Sequence, residues 1–576
     1  MNDPRTRIAE AVQRVLAGMG AGETEVRLER PRDPTHGDWA TSVALTLAKE
    51  LKKPPRQIAA EIAAALDLAD TGISAVEVAG PGFLNFRLSS GSIAAQLERI
   101  VIEDEAYGFS VTGGGERMIV EWVSANPTGP LHLGHGRQAA LGDTICDLLS
   151  ATGWSVYREY YYNDAGNQIE MLAKSVRTRY LQVLGEWIEL PEGGYQGDYI
   201  LDIAKQLYLQ GKEGYRGDDS PASLEVFRKF AVRLLRAEQD RDLAEFRVQF
   251  HNHYLESSLY NEGRVEATIQ ALRATGLVFE EDGAVWLRTT TYGDDKDRVM
   301  VRGDGAPTYF LPDIAYHMAK WERGFQHAIN VQGSDHHGTV ARVRAGLRAL
   351  GLPEGYPEYV IHQMVRLEQG GKEVKFSKRA GSYTTLRELF EMVGVDVARY
   401  FFLMRKPEGQ LVFDLDMALD QSEKNPVYKI QYAHARMCSI FGKAGQALEA
   451  EAKAGKGDLT RLDHPVELAL VKHLAEYPEV VERAAATRAP HTLCEYLEQT
   501  SGVVNSWYHA GNPSRNPELA VLIADPDLRA ARLVLARAVR VVLRNGLRIL
   551  NVSAPVRMER ALEEPPPAPP AAPPAS

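Results

Sequence analysis

Ser124-Ala125-Asn126-Pro127-Thr128-Gly129-Pro130-Leu131-His132-Leu133-Gly134-His135-Gly136 is the stretch on which the fold turns. It follows an apolar run, Arg117 to Ser124, that reads as a strand, and it opens a helix from Leu131 onward. Two further strands are expected at Trp154–Tyr162 and His327–Gly333, with helical patterns between them. Strands alternating with helices indicate a parallel sheet covered on both faces, an α/β fold. In such sheets ligands sit beyond the carboxyl ends of the strands, where helix amino termini attract phosphate. His132 and His135 are three apart, so on a helix they share a face and can donate to phosphate oxygens. Gly134 and Gly136 carry no side chains, which would let an adenine ring approach the backbone. The plainer reading is that the two histidines cap the helix and help bury it. No GxxxxGK occurs, so this is not a P-loop.

Far downstream in the same region lies Gly370-Gly371-Lys372-Glu373-Val374-Lys375-Phe376-Ser377-Lys378-Arg379-Ala380-Gly381. Glycines on both sides suggest a mobile loop. Lys375, Lys378 and Arg379 can gather over a triphosphate and neutralise charge on departing pyrophosphate. A solvated basic loop is the alternative. HLGH followed by KFSK in one strand–helix domain points to nucleotide chemistry more strongly than either alone.

Outward from this core, composition divides the 576 residues into four parts. Residues 1–112 form a small α+β unit, with helices at Ile8–Leu16 and Ala40–Leu51, a strand at Gly82–Leu88 and a linker at Gly113-Gly114-Gly115. Residues 113–410 form the parallel-sheet domain, with a charged, mostly helical insertion at about 177–291. Residues 411–560 read as an all-α bundle, and 561–576 as a Pro/Ala-rich tail unable to bury a core. A net charge of −11 argues against a generic polyanion coat but leaves room for a local basic stripe. Cys146, Cys438 and Cys494 are widely spaced, with no CxxC, so neither a disulfide framework nor a zinc site is expected. No signal-peptide core and no eighteen-residue apolar run is present, so a cytoplasmic protein without membrane insertion is expected.

These motifs resemble those of the class I aminoacyl-tRNA synthetases. HLGH matches that class's HIGH motif, and KFSK its KMSKS motif with Phe376 in place of methionine. Further stretches resemble the arginyl-tRNA synthetase family over essentially all of residues 1–560. They are the SANPTGPLHLGH context, Arg158–Gln168, Thr308–His317, Gly333–Gly338, Asp396–Phe401, Asn425–Arg436 and Ser553–Met558. The resemblance implies a Rossmann-type catalytic domain, a small amino-terminal domain touching the tRNA elbow, and a helical anticodon-binding bundle. It implies ATP (with Mg²⁺), L-arginine and tRNA(Arg) as partners, with no zinc, no metal ligands in the protein and a monomeric chain. Arginine would join the terminal adenosine's 2′-hydroxyl through arginyl-adenylate, with tRNA bound before activation.

Residue by residue, the resemblance implies that His132, His135, Lys375 and Lys378 are catalytic, and that Gly134 and Ser377 join them in binding ATP. Asp313 would accept from the guanidinium with Tyr309 beside it, while Ser124 and Asn126 would hold the α-amino end. Asp335 would reach the ribose or α-amino group. The chemistry agrees: a guanidinium is a permanent planar cation best gripped by carboxylates, which lysine cannot imitate. Without the resemblance, the lesser alternative for Asp313 is a helix-start carboxylate capping backbone amides. No second hydrolytic motif is read in the insertion, so no proofreading step is expected. Two rival readings stay open: another HxGH nucleotidyltransferase, including a synthetase for a different amino acid, or a non-catalytic tRNA-binding relative.

For RNA contact, Leu528–Arg560 carries eight arginines against Glu559 alone, and Arg529 through Arg548 fall on one broad helical face. The alternative is a solvated face paired with acidic neighbours. Tyr428, Tyr432 and Trp507 can stack on unpaired bases or pack in a core, and Arg436, Arg544 and Met558 are further tRNA candidates. Three weaker signals are set aside. His251-Asn252-His253 lies in a helical pattern rather than a nuclease hairpin, His336-His337 has no ligand partners, and Cys146 reads as a packing thiol.

Overall fold

The computed structural model describes residues 4–558 except 32, 70, 165, 212 and 375–382. The chain divides into two compact units. The larger takes in residues 108–432, 478–499 and 543–558. Its centre is a five-stranded parallel sheet in the order Glu358–His362, His327–Gly333, Arg117–Glu121, Ser155–Tyr162, Asn252–Leu255. The chain starts in the middle strand, builds outward on one side, then returns to build on the other. The switch point therefore lies between Arg117–Glu121 and His327–Gly333, where a ligand crevice opens at the carboxyl ends of the strands.

Buried apolar side chains explain the middle of this sheet: Met118, Ile119 and Val120 are all under 3% exposed. The strand ends at Glu121 rather than Ser124 because Val123 and Ser124 both turn left-handed, with φ of +65° and +42°. Such a conformation is strained for a β-branched residue. The Leu133–Ala151 helix then packs back on the sheet. Its Gly142 is required there, since a Cβ would sit 2.2 Å from the fully buried Trp122 ring.

The insertion is smaller than its composition suggests. The Asn167–Val183, Asp198–Gly211 and Pro221–Glu245 helices share a core of Leu172, Val176, Ile200, Phe227 and Leu235. The chain then rejoins the main sheet. The VQFHNHYLESSLY stretch, expected as helix, places Asn252–Leu255 as a strand beside Ser155–Tyr162. Beyond it, Val278–Glu281, Ala284–Leu287 and Arg298–Val301 form an antiparallel sheet. The boundary at 411 also moves, because Leu411–Asp414 pairs in parallel with Val365–Gln369. Nor is Gly113–Gly115 a loose linker: Gly113 packs against Trp154, where a Cβ would meet the ring at 2.5 Å.

The smaller unit takes in residues 4–107, 433–477 and 500–542. Trp39–Thr41, Phe83–Leu88 and Ile73–Ala79 form an antiparallel sheet, with Trp39 opposite Phe86. The helix expected from Ala40 accordingly begins at Val43. The arginine-rich stretch is not one uniformly solvated basic face: Arg532 and Arg537 are buried, Arg529, Arg540 and Arg544 half-buried, and Arg548 and Arg557 exposed. Arg532 is 2% exposed and donates to Glu467 at 2.6 Å; Arg537 pairs with Asp104 at 2.8 Å and Arg540 with Glu449 at 2.7 Å. Buried cations are tolerated only when paired in this way.

Candidate active site

The loop from Ala125 to Pro130 has no secondary structure of its own, so its backbone carbonyls need partners from elsewhere. The Tyr160 hydroxyl donates to Ala125 O at 2.8 Å, and Tyr199 to Thr128 O at 2.8 Å. Gln239 donates to Asn126 O and Gly129 O, and Tyr383 to Pro130 O at 3.0 Å. Four distant side chains thus fix one turn. The Asn126 side chain donates to Gln168 Oε1 at 2.7 Å.

His132 caps the Leu133–Ala151 helix reciprocally with His135. Each Nδ1 accepts the other residue's backbone N–H, at 3.2 and 3.4 Å, and the rings stack with centroids 3.6 Å apart. An accepting Nδ1 leaves the ring proton on Nε2. Burial lowers the pKa of His132, and burial and His132 hold His135 well below its usual range. Both are therefore neutral Nε2–H donors at neutral pH. The capping role does not preclude a phosphate-facing one, because the two would use different ring nitrogens. A Cβ at Gly134 would touch the His132 ring at 2.9 Å. Gly136 is buried, and a Cβ there would meet Leu386 at 2.6 Å. It makes room for helix packing, not for an adenine ring.

Asn126, His132, His135, Gln168, Asp335 and Tyr383 line one cleft of about 940 Å³ at the switch point. Asp335 lies in the short turn after the His327–Gly333 strand, with its carboxylate 3.5 Å from His336. Among the described residues, no cluster of histidine, cysteine and carboxylate groups could hold a metal ion. Lys375, Ser377 and Lys378 lie outside the described residues.

A second, acidic cluster is organised by the Phe310–Glu322 helix, which carries Asp313 in its first turn and the 64% exposed Tyr309 at its start. Burial, then the carboxylates of Glu121 and Glu256, push the Asp313 carboxyl up to about 7, against Arg342 and Lys320. No side chain among the described residues hydrogen-bonds it. Burial also raises Glu256, which the Tyr161 hydroxyl contacts. The Gln332 amide oxygen is buried without a partner. An acid group half-protonated for want of a cation is a ready receptor for one. Glu121, Glu256 and Gln332 were not foreseen from the sequence. Glu121 and Gln332 lie on strands of the sheet and Glu256 opens the helix after Asn252–Leu255, all far apart in the chain.

Of the RNA-contact expectations, Tyr428 and Tyr432 are half-buried and stack on each other at 5.9 Å. Arg436 donates to Asn505 and lies over Tyr508. Trp507 is 2% exposed, so its ring packs rather than offering a face to a base. Arg544 donates to Asn545, and Met558 is partly exposed. His251–His253 shows no nuclease geometry: His251 Nδ1 accepts Arg158 N–H. Cys146 is fully buried, and burial raises its thiol well above the usual range, as packing requires.

A parallel sheet with a histidine-capped helix at its switch point defines a class of nucleotide-using enzymes. Residues 96–400 match the class I (R) tRNA synthetase catalytic domain. Residues 4–88 match the arginyl tRNA synthetase N-terminal domain, and 430–558 the DALR anticodon binding domain. The chain belongs to the arginyl-tRNA synthetase family. It is 50% identical over 550 residues to an arginine–tRNA ligase of Bordetella petrii, covering 93% of this chain and 96% of that one. It is 49% identical to one of Thiobacillus denitrificans, covering 97% and 99%. Its fold matches the solved arginyl-tRNA synthetase of Thermus thermophilus at 25% identity, with a TM-score of 0.74 over 96% of this chain and all of that one.

Proposed function

We propose that this chain attaches arginine to tRNA(Arg) in two steps. ATP and L-arginine give arginyl-adenylate and diphosphate; the terminal adenosine's 2′-hydroxyl then attacks the acyl carbon and releases AMP. The observation that carries this reading is the Asp313 carboxyl, half-buried with no hydrogen-bond partner among the described residues, in the field of Glu121 and Glu256. A guanidinium entering there finds several acceptors, each charge-assisted bond contributing about 1.5–3 kcal/mol.

In this reading Asp313 holds the guanidinium beside Tyr309, with Glu121, Glu256 and Gln332 completing the pocket, and Ser124 and Asn126 hold the α-amino end. His132 and His135 donate Nε2–H groups to phosphate oxygens as charge builds, and Asp335 reaches the ribose or α-amino group. Lys375, Ser377 and Lys378 bind the triphosphate, and Gly134 joins them in binding ATP. Magnesium enters as part of the ATP substrate. Little proton transfer is required, because the adenylate is already a good leaving group. Residues 1–112 serve tRNA contact and the helical part after Leu415 serves the anticodon, with Tyr428, Tyr432, Arg436, Arg544 and Met558 as contacts. The chain acts as a monomer in the cytoplasm, with tRNA bound before activation. ATP–pyrophosphate exchange with each of the twenty amino acids, in the presence of tRNA(Arg), tests this directly. Arginine alone should support exchange; none with folded protein, or exchange with another amino acid, overturns it.

A further inference from the structure

A row of polar side chains crosses the core of the parallel sheet. Asn330, Glu121, Glu159 and Asn252 stand opposite one another in register on four adjacent strands. All but Asn252 are under 7% exposed. One face of the Phe310–Glu322 helix covers the row. The Tyr316 hydroxyl donates to Glu159 at 2.9 Å, and Arg323, just past the helix end, donates to both Glu159 oxygens. Between them lies Lys320, with no exposed surface at all. Its Nζ donates to Glu121 Oε2 at 2.6 Å and to Asn330 Oδ1 at 3.0 Å, above the Tyr316 ring.

A buried lysine directly under a pocket for a cation runs against simple electrostatics, since it repels what the pocket is to receive. Its connections give the reason. Glu121 Oε1 accepts from the Ser124 hydroxyl at 3.0 Å, and Ser124 Oγ in turn accepts the Tyr161 N–H at 3.1 Å. Ser124 lies in the left-handed corner with Val123, and such a corner persists only where its surroundings over-determine it. Asn126 follows two residues later. Asp313 stands two helical turns before Lys320 on the same helix face. Lys320 therefore ties the two halves of the amino-acid pocket: the helix that carries Asp313 and the corner that carries Ser124 and Asn126.

We propose that Lys320 is a positioning residue for arginine, fixing the Asp313 helix against the Ser124–Asn126 corner through Glu121 and setting the pocket's charge from beneath. The inference rests on the arginine reading above. The groups facing Asp313 are Glu121 from the sheet, Glu256 from the Glu256–Asn261 helix, Arg342 from the His337–Ala349 helix, and Tyr161, Tyr260 and Tyr359. Lys320, from the same helix as Asp313, and Arg342 are the cations that lower its pKa among the described residues, so removing the lysine raises the pH at which Asp313 ionises.

The test is steady-state exchange across pH with tRNA present, on wild type, Lys320→Met and Lys320→Gln. Arginine-dependent exchange by the wild type upholds the underlying reading, and its absence defeats that reading before Lys320 is at issue. In Lys320→Met the arginine KM should rise about 10- to 100-fold, while the ATP KM changes by less than about 2-fold. The acid limb of kcat/KM for arginine should move up by about half a pH unit or more in both variants. Lys320→Gln keeps a donor to Glu121 and should show the smaller rise in KM. Unchanged arginine KM and acid limb in either folded variant overturn the proposal, as do equal losses for arginine and ATP. If neither variant folds, Lys320 is a structural residue and the proposal falls.

Discussion

Asp313 carries the most exposed part of the account to experiment. Its carboxyl, raised to about 7 by burial and by Glu121 and Glu256, must be ionised to grip a guanidinium. Because the free enzyme's groups govern kcat/KM, that ratio for arginine should fall about tenfold per unit as pH drops below 7, and level off above it. The bound cation favours the carboxylate, so kcat should hold to lower pH and arginine binding near pH 7 should release a proton. Calorimetry in buffers of different ionisation enthalpy measures that release; proton uptake, or none, contradicts it. Asp313→Asn keeps the shape and removes the charge. It should raise the arginine KM by about 10- to 150-fold, with ATP binding little changed.

At the scale of elements, the parallel sheet and the helix start after it were legible because the apolar run and the proline–glycine turn are local signals. The strand at Asn252–Leu255 was not: it is short, half polar, and set among apolar residues at near-helical spacing. The polar row escaped too, since register between strands about 40 to 210 residues apart leaves no mark in either strand alone. The arginine stripe shows the same limit. A helical wheel finds the face, but Glu467, Asp104 and Glu449, which neutralise it, are distant in the chain. Arg532→Ala, which strands Glu467 in the interior, should therefore cost about 3–5 kcal/mol of stability. Thermal or denaturant unfolding measures it. A variant as stable as wild type but weak in tRNA binding would restore the stripe to the RNA surface.

Across the whole molecule, activation and tRNA binding should separate. The lysine loop serves the nucleotide, so Lys378→Ala should abolish most exchange while tRNA affinity, read by filter binding or anisotropy, stays within about twofold. Equal loss of both would mark the loop as an RNA contact. The most direct test of the central claim is a crystal structure of the chain with arginine and a non-hydrolysable ATP analogue bound. The guanidinium should lie in hydrogen-bond reach of Asp313, with the triphosphate over His132 and His135. A guanidinium bound elsewhere, with Asp313 unoccupied and its acid pocket filled by protein, would contradict the account.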